Sequence, residues 1–324
     1  MKINLTKISL ANTMMIGVIM TICSNNWISM WMGIEISLLS FIPFMQNELK
    51  PSSESMIKYF IIQSIASTMF LYSVIIMLVG DNMMNEMILM ISMLVKLGVT
   101  PFHNWVLMII NNISYFCMFS LLTIMKVPPI MVMYHINSKM LMIPIILSSI
   151  FSAISCINQT SVKKTIGYSS IFNMGLMLTS INKLNVSMMF LAIYSMTMSM
   201  VILISKTMKI NWINQMVFNE FPTSLKINMW INMLSMGGFP PLMGFIMKML
   251  IMQNLMFNNQ IMLTGIILMS SMLVMMFYTR LAFSSMMNSS MFKKWMLNST
   301  KSLMYLISLN IMLTPLSLTM VSLI

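Results

Sequence analysis

Apolar stretches of about twenty residues follow one another along almost the whole chain, separated by short polar gaps. At ~1.5 Å rise per residue, each is long enough to cross a ~30 Å hydrocarbon layer as a helix. Only 7% of the 324 residues are charged, whereas a soluble domain carries about 25%. The mean hydropathy is +0.88. The expected class is therefore an all-α polytopic membrane protein, one membrane domain over residues 1–324 with no linker and no soluble domain.

The apolar runs predict about eleven transmembrane helices, at 8–24, 27–46, 55–79, 86–109, 114–135, 140–157, 161–181, 187–206, 227–256, 260–286 and 302–322. The polar gap 206–226 contains Trp212 and Phe218 and reads as an interfacial helix. The opening MKINLTK before an apolar run lacks a small-x-small cleavage site, so it reads as the start of the first span rather than as a signal peptide. An Arg-rich transit peptide is absent too, which points to synthesis inside an organelle if the protein is mitochondrial.

Lysine placement tests this count. If the spans alternate, the side holding the N-terminus collects Lys2, Lys7, Lys50, Lys58, Lys163, Lys164, Lys206, Lys209, Lys226, Lys293, Lys294 and Lys301. The opposite side receives Lys139 and Lys183 with Asp81 and Glu86. The positive-inside rule then puts the N-terminus on the matrix or cytoplasmic side and Ile324 on the other. The net charge of +12 is mostly this topology signal; no folded basic domain supports a nucleic-acid partner.

Several function classes fall away. The 51 methionines are spread through every span without a clustered MxxM loop, so soft-metal binding is not expected. Cys23, Cys117 and Cys156 stand far apart with no CxxC, and His103 and His135 make no bis-histidine haem site. There is neither a GxGxxG nor a Walker A sequence. The expectation is that this chain binds no cofactor, metal or nucleotide. Arg280 is the sole arginine, and Asn, Ile, Lys, Met and Phe are heavily used, a bias that suggests an AT-rich organellar genome.

What remains is a small set of ionisable groups inside the spans: Glu35, Lys96, Lys126 and Lys248. Such groups are expensive in lipid and tolerated mainly where they line a polar path. Lys96 is followed by Gly98 and Pro101, and Lys248 is preceded by GGFPP at 237–241. The fourth and ninth spans are thus expected to be broken helices. Five spans apart, they fit a five-helix repeat of the kind that brackets ion paths in transporters. Desolvation disfavours an ammonium and a nearby carboxylate restores it. A small movement between Glu35 and Lys96 would therefore switch proton affinity and pass a proton towards Lys126 through water. The plain alternative is an inert Glu35–Lys96 packing pair. His103 either relays a proton or caps the second half-helix. Lys58 and Arg280 are expected to snorkel, and Lys163 and Lys164 to be loop charges or a proton entry.

At these residues the sequence resembles the chain 2 family of antiporter-like subunits of mitochondrial NADH:ubiquinone oxidoreductase, respiratory complex I. The stretches that carry it are 31–43 (WMGIEISLLSFIP), 53–67 (SESMIKYFIIQSIAS), 96–106 (KLGVTPFHNWV), 158–178 (NQTSVKKTIGYSSIFNMGLML) and 234–248 (LSMGGFPPLMGFIMK). The methionine excess resembles invertebrate mitochondrial forms. The resemblance implies two inverted five-helix repeats with the broken helices fourth and ninth. It also implies Glu35 and Lys96 as a coupled pair, Lys126 as central lysine and Lys248 as the lysine towards the exit. The implied activity, proton translocation by NADH:ubiquinone reductase, belongs to the whole assembly. NADH, FMN, iron–sulfur clusters and ubiquinone would sit in other subunits. Implied partners are the other membrane-arm subunits and membrane lipids such as cardiolipin, in the mitochondrial inner membrane, with the N-terminus in the matrix and the C-terminus in the intermembrane space. The sequence departs from the family at Asn173, where histidine is common, at Met125 before the central lysine, at Met247 and Met249 around the exit lysine, and at Leu107-Met108. Two rival readings stay open: a stand-alone cation/proton antiporter of the related family, and a structural membrane scaffold.

Overall fold

The computed structural model describes residues 5–46, 50–80, 83–136, 139–217, 223–287 and 305–322. Among them the regular structure is helical, apart from one isolated antiparallel bridge between Ser161 and Trp212. The chain packs as two compact units, Met1–Pro144 and Ile145–Ile324. The first contains α1 (Leu5–Cys23), α2 (Trp27–Phe44), α3 (Lys50–Val79), α4 (Met83–Leu97), α5 (Asn104–Asn112), α6 (Tyr115–Leu122) and α7 (Val127–His135). After α8 (Met142–Ile157), which begins at the boundary, the second contains α9 (Val162–Thr179), α10 (Leu184–Thr207), α11 (Ile213–Val217), α12 (Thr223–Gly237), α13 (Met243–Phe257), α14 (Ile261–Met287) and α15 (Tyr305–Ser322).

Six of the described helical stretches are long and apolar enough to cross a membrane: Leu5–Cys23, Trp27–Phe44, Ser52–Val79, Tyr115–His135, Leu184–Thr207 and Ile261–Phe283. The expected fourth and ninth spans fall short because they are interrupted, as α4/α5 and α12/α13. In the expected interfacial stretch, the described residues form the short helix α11 at Ile213–Val217, and Phe218 lies outside the described residues. Many helices turn large apolar side chains outward, such as Ile16, Leu39, Ile65 and Met269. Apolar exposure on this scale suits lipid contact rather than water.

The two breaks share one hydrogen-bond pattern. In the first, Gly98 N–H donates to the Val95 carbonyl at 3.1 Å, Val99 N–H to Leu94 at 3.3 Å and Phe102 N–H to Val99 at 2.8 Å. In the second, Gly238 N–H donates to Ser235 at 3.1 Å, Phe239 N–H to Leu234 at 3.1 Å and Leu242 N–H to Phe239 at 3.0 Å. The first two bonds of each set form the Schellman helix stop, which needs a left-handed residue just past the helix. Gly98 and Gly238 supply it, at φ +67° and +80°. Gly244 lets α13 return close along α12, since a Cβ there would overlap the Ser235 carbonyl.

A third interruption departs from the expected unbroken span at 114–135. α6 stops at Leu122, a 3-10 turn covers Ile124–Lys126, and α7 resumes at Val127. Pro128 and Pro129 cause this: neither can donate a backbone N–H to the turn before it, so the ladder is cut where Lys126 stands. Thr123 takes up some of the slack by donating its hydroxyl to the Phe119 carbonyl at 2.7 Å.

α1 and α2 meet through glycine. A Cβ on Gly17 would lie 2.7 Å from the Gly33 carbonyl and from the Ser37 amide, whereas one on Gly265 would meet nothing within 4 Å. Overpacking costs about 1–3 kcal/mol. Gly17→Ala should therefore lower the thermal midpoint of the detergent-solubilised protein, and Gly265→Ala should leave it nearly unchanged.

Candidate functional site

In the first unit, Lys96 lies in the last turn of α4, immediately before the Gly98 break. Both its position and that of Lys126 at the end of the 3-10 turn follow from helices being stopped there. A helix C-terminus carries roughly half a negative charge, which favours an ammonium nearby. Both side chains are buried, 5% and 3% exposed, and neither ammonium has a hydrogen-bond partner among the described residues. The Lys96 ammonium stands 5.9 Å from the centre of the Phe70 ring, a weak compensation of about 1–2 kcal/mol.

Lys96 and Lys126 open on one cavity, with about 20 Å³ available to the centre of a water molecule. That is room for about one water. The wall includes Tyr59 and Gln63 from α3, Trp105 from α5, and Pro128 and Pro129 from α7. Trp105 is fixed by donating its indole N–H to the Val95 carbonyl at 3.0 Å, so one side chain ties the second half of the broken helix to the first. Glu35, on α2, is half-buried, with one carboxylate oxygen lacking a hydrogen-bond partner among the described residues. Its charge acts on both Lys96 and Tyr59, yet it forms no ion pair with Lys96. Among the described residues, the ion pair within 4 Å is Lys58–Glu54.

His103 is buried within the first break, its Nδ1 3.3 Å from the Pro101 carbonyl. It does not line the cavity shared by the two lysines. Lys248 belongs to the second unit. From α13 its ammonium reaches back to donate to the Gly237 carbonyl at the cut end of α12, and it stands 5.7 Å from the centre of the Phe172 ring. The structure thus brings Lys96 and Lys126 together, with Glu35 acting on the first, and gives Lys248 its own backbone acceptor.

Three features escape a reading of the charges alone. Tyr59 and Gln63 face the lysines; their four-residue spacing on an otherwise apolar helix is the signal for them. The cut at Lys126 is signalled by Pro128-Pro129. Lys226, taken from sequence as a loop lysine, is 2% exposed in α12, because that helix starts at Thr223.

The family described as NADH:quinone oxidoreductase/Mrp antiporter, TM, matches residues 24–274. NADH-ubiquinone oxidoreductase chain 2 of Anopheles gambiae is 34% identical over 296 residues, covering 87% of this chain and 86% of that protein. The Locusta migratoria chain 2 is 36% identical over 293 residues, 87% of this chain and 86% of that one. This chain belongs to the NADH-ubiquinone oxidoreductase chain 2 family. Its fold resembles that of a chain in respiratory complex I from Thermus thermophilus, with TM-score 0.83 at 16% identity, covering 97% of this chain and 78% of the other. The family match runs over Glu35, Lys96, His103, Lys126 and Lys248 alike.

The acceptor of Lys248 can be tested through glycine. Gly238 and Gly80 both have positive φ, but a Cβ at Gly238 would lie 2.7 Å from the Lys248 ammonium while one at Gly80 meets nothing. Alanine at either position should lower stability by about 1–2 kcal/mol for left-handed backbone, read as a fall in thermal midpoint. Only Gly238→Ala should also move the ammonium off the Gly237 carbonyl, as a density map would reveal.

Proposed function

We propose that this chain is a core membrane-arm subunit of respiratory complex I. It moves protons across the mitochondrial inner membrane, while NADH oxidation and quinone reduction take place on cofactors held by other subunits. The observation that carries the reading is the pair Lys96 and Lys126 on one water-sized cavity, with the charge of Glu35 acting on Lys96. When Glu35 is near, Lys96 holds its proton. When the two separate, an N–H bond of Lys96 breaks, a proton passes through the cavity water, and a new N–H bond forms on Lys126. Lys248 serves as the lysine towards the exit, and His103 as a relay or a cap at the first break.

In this reading both units belong to one membrane domain, which the family match over residues 24–274 supports by running through each. The shared hydrogen-bond pattern of the Gly98 and Gly238 breaks supports two five-helix repeats and about eleven spans in all. The lysine asymmetry supports an N-terminus in the matrix and a C-terminus in the intermembrane space. The partners are the neighbouring membrane-arm subunits and inner-membrane lipids such as cardiolipin.

Transfer through a positioned proton carrier is worth about 10²–10⁴-fold in rate. Lys96→Met in the assembled complex should accordingly lower protons moved per NADH or stall turnover. Wild-type stoichiometry and rate in fully assembled enzyme would defeat the proton path and leave the scaffold reading. Glu35→Gln should alter the pH–activity profile; an unaltered profile would separate the two residues. Purification in a large NADH-oxidising assembly distinguishes the proposed subunit from a stand-alone antiporter, which would travel alone.

A further inference from the structure

Around Lys248 the second unit holds buried hydroxyls that the lysine path leaves unused. Tyr278, on α14, packs against the cut end of α12: a Cβ on Gly237 would lie 3.2 Å from the Tyr278 Cβ. Gly237 is the residue whose carbonyl accepts from Lys248. The Tyr278 hydroxyl lies beside Ser169 on α9 without completing a hydrogen bond to it, and the Tyr194 hydroxyl on α10 stands in the same relation to Ser170. The two tyrosines are close enough to act on each other electrostatically. Phe172, whose ring faces the Lys248 ammonium, is one helical turn after Ser169. Both tyrosines are 0% exposed.

The serines have already spent their protons. Ser169 donates to the Ile166 carbonyl at 2.8 Å and Ser170 to Gly167 at 2.6 Å. Each therefore turns only lone pairs towards its tyrosine. A buried hydroxyl without a partner costs about 1–3 kcal/mol, and buried polar groups are almost always paired with protein or ordered water. Two such buried hydroxyls, each short of a serine acceptor, are what a short file of water molecules would complete.

We propose that Tyr278 and Tyr194, with Ser169 and Ser170, form a hydroxyl-and-water relay that exchanges protons with Lys248. The relay rests on the proton-translocating reading above and names the route by which protons reach or leave that lysine. In one step the Lys248 ammonium gives a proton to a neighbouring water. That water passes one to the Tyr278 oxygen as the hydrogen of Tyr278 leaves for the next acceptor in the file. One O–H bond forms as another breaks at each oxygen, so no net charge rests on a tyrosine. The reverse step reloads Lys248.

Phenylalanine at these positions keeps the ring and removes only the oxygen, so packing against Gly237 is preserved. In assembled complex, Tyr278→Phe should lower NADH-driven proton flux about a hundred-fold, the lower end of the range for a lost proton-transfer group. Tyr194→Phe should lower it in the same direction, with the amount of assembled complex at wild-type level in both. Lys96→Met is measured alongside. Loss of flux with Lys96→Met but wild-type flux with both tyrosine variants overturns the relay and spares the proton-path reading; silence of all three overturns both. Should a variant fail to assemble, the wild-type complex decides. A density map resolving water should place ordered water within hydrogen-bond distance of both the Tyr278 hydroxyl and Ser169. A dry contact there overturns the relay.

Discussion

An ammonium buried among helices has to be held by something, and here the holder is the cut end of a helix. Moving an ion out of water costs several kcal/mol even after the protein relaxes around it. A helix C-terminus returns up to about 2 kcal/mol in a partly buried geometry, and a ring face about as much again. Lys248 receives both, through the Gly237 carbonyl and the Phe172 ring. Lys96 has its place in the last turn of α4, the Phe70 ring and the distant charge of Glu35. These contributions approach the cost without exceeding it by a wide margin. A lysine balanced in this way would be switched by small displacements of its neighbours, as the proposed proton path requires. A lysine locked in a close salt bridge would not be.

That balance explains why the breaks are built so alike. Cutting a helix in lipid frees backbone groups that have no water to turn to, each worth several kcal/mol if left alone. The Schellman stops at Gly98 and Gly238 satisfy the amides just past the cut, which leaves the cut affordable. Gly237 then spends its carbonyl on Lys248, and Val95 shares its own with the Trp105 indole. Wherever the backbone is opened, a named side chain takes up the opening.

The burial of Lys96 and Lys126 was legible in the sequence because a charge inside an apolar run is so costly that few explanations survive for it. The glycine–proline cuts were legible for a related reason, since those residues change backbone geometry wherever they stand. The interruption before Lys126 carried a signal of the same kind in Pro128-Pro129, but the apolar run across 114–135 reads as continuous when hydropathy alone is followed. Lys226 was misplaced by four residues of helix boundary, enough to turn a buried lysine into a loop lysine. The direct Glu35–Lys96 contact that pairing of opposite charges suggests is absent, while α2 packs closely on α1 through Gly33 and Gly17. The tyrosines and serines near Lys248 gave no signal at all. A serine in a helix can satisfy itself by bonding back one turn, so its presence says nothing about what it faces.

α9 shows why such a network can exist in this fold. It carries Lys163, Lys164, Ser169, Ser170 and Asn173, too polar a helix to face lipid unaided, and it is not among the helices apolar enough to span on composition. Fourteen of its eighteen residues are buried. The second unit therefore shields a polar helix from hydrocarbon, and polar helices in membranes are tolerated on that condition. Once shielded, its side chains face protein from several sides. Gly175 admits the Ser148 side chain of α8 so closely that a Cβ there would overlap the hydroxyl. A rigid, enclosed and polar helix is the setting in which hydroxyls can be held at fixed separations, and a proton relay depends on fixed separations more than on charge. In the proposed path the lysines set where a proton can rest, and the packing around α9 sets whether it has anywhere to go.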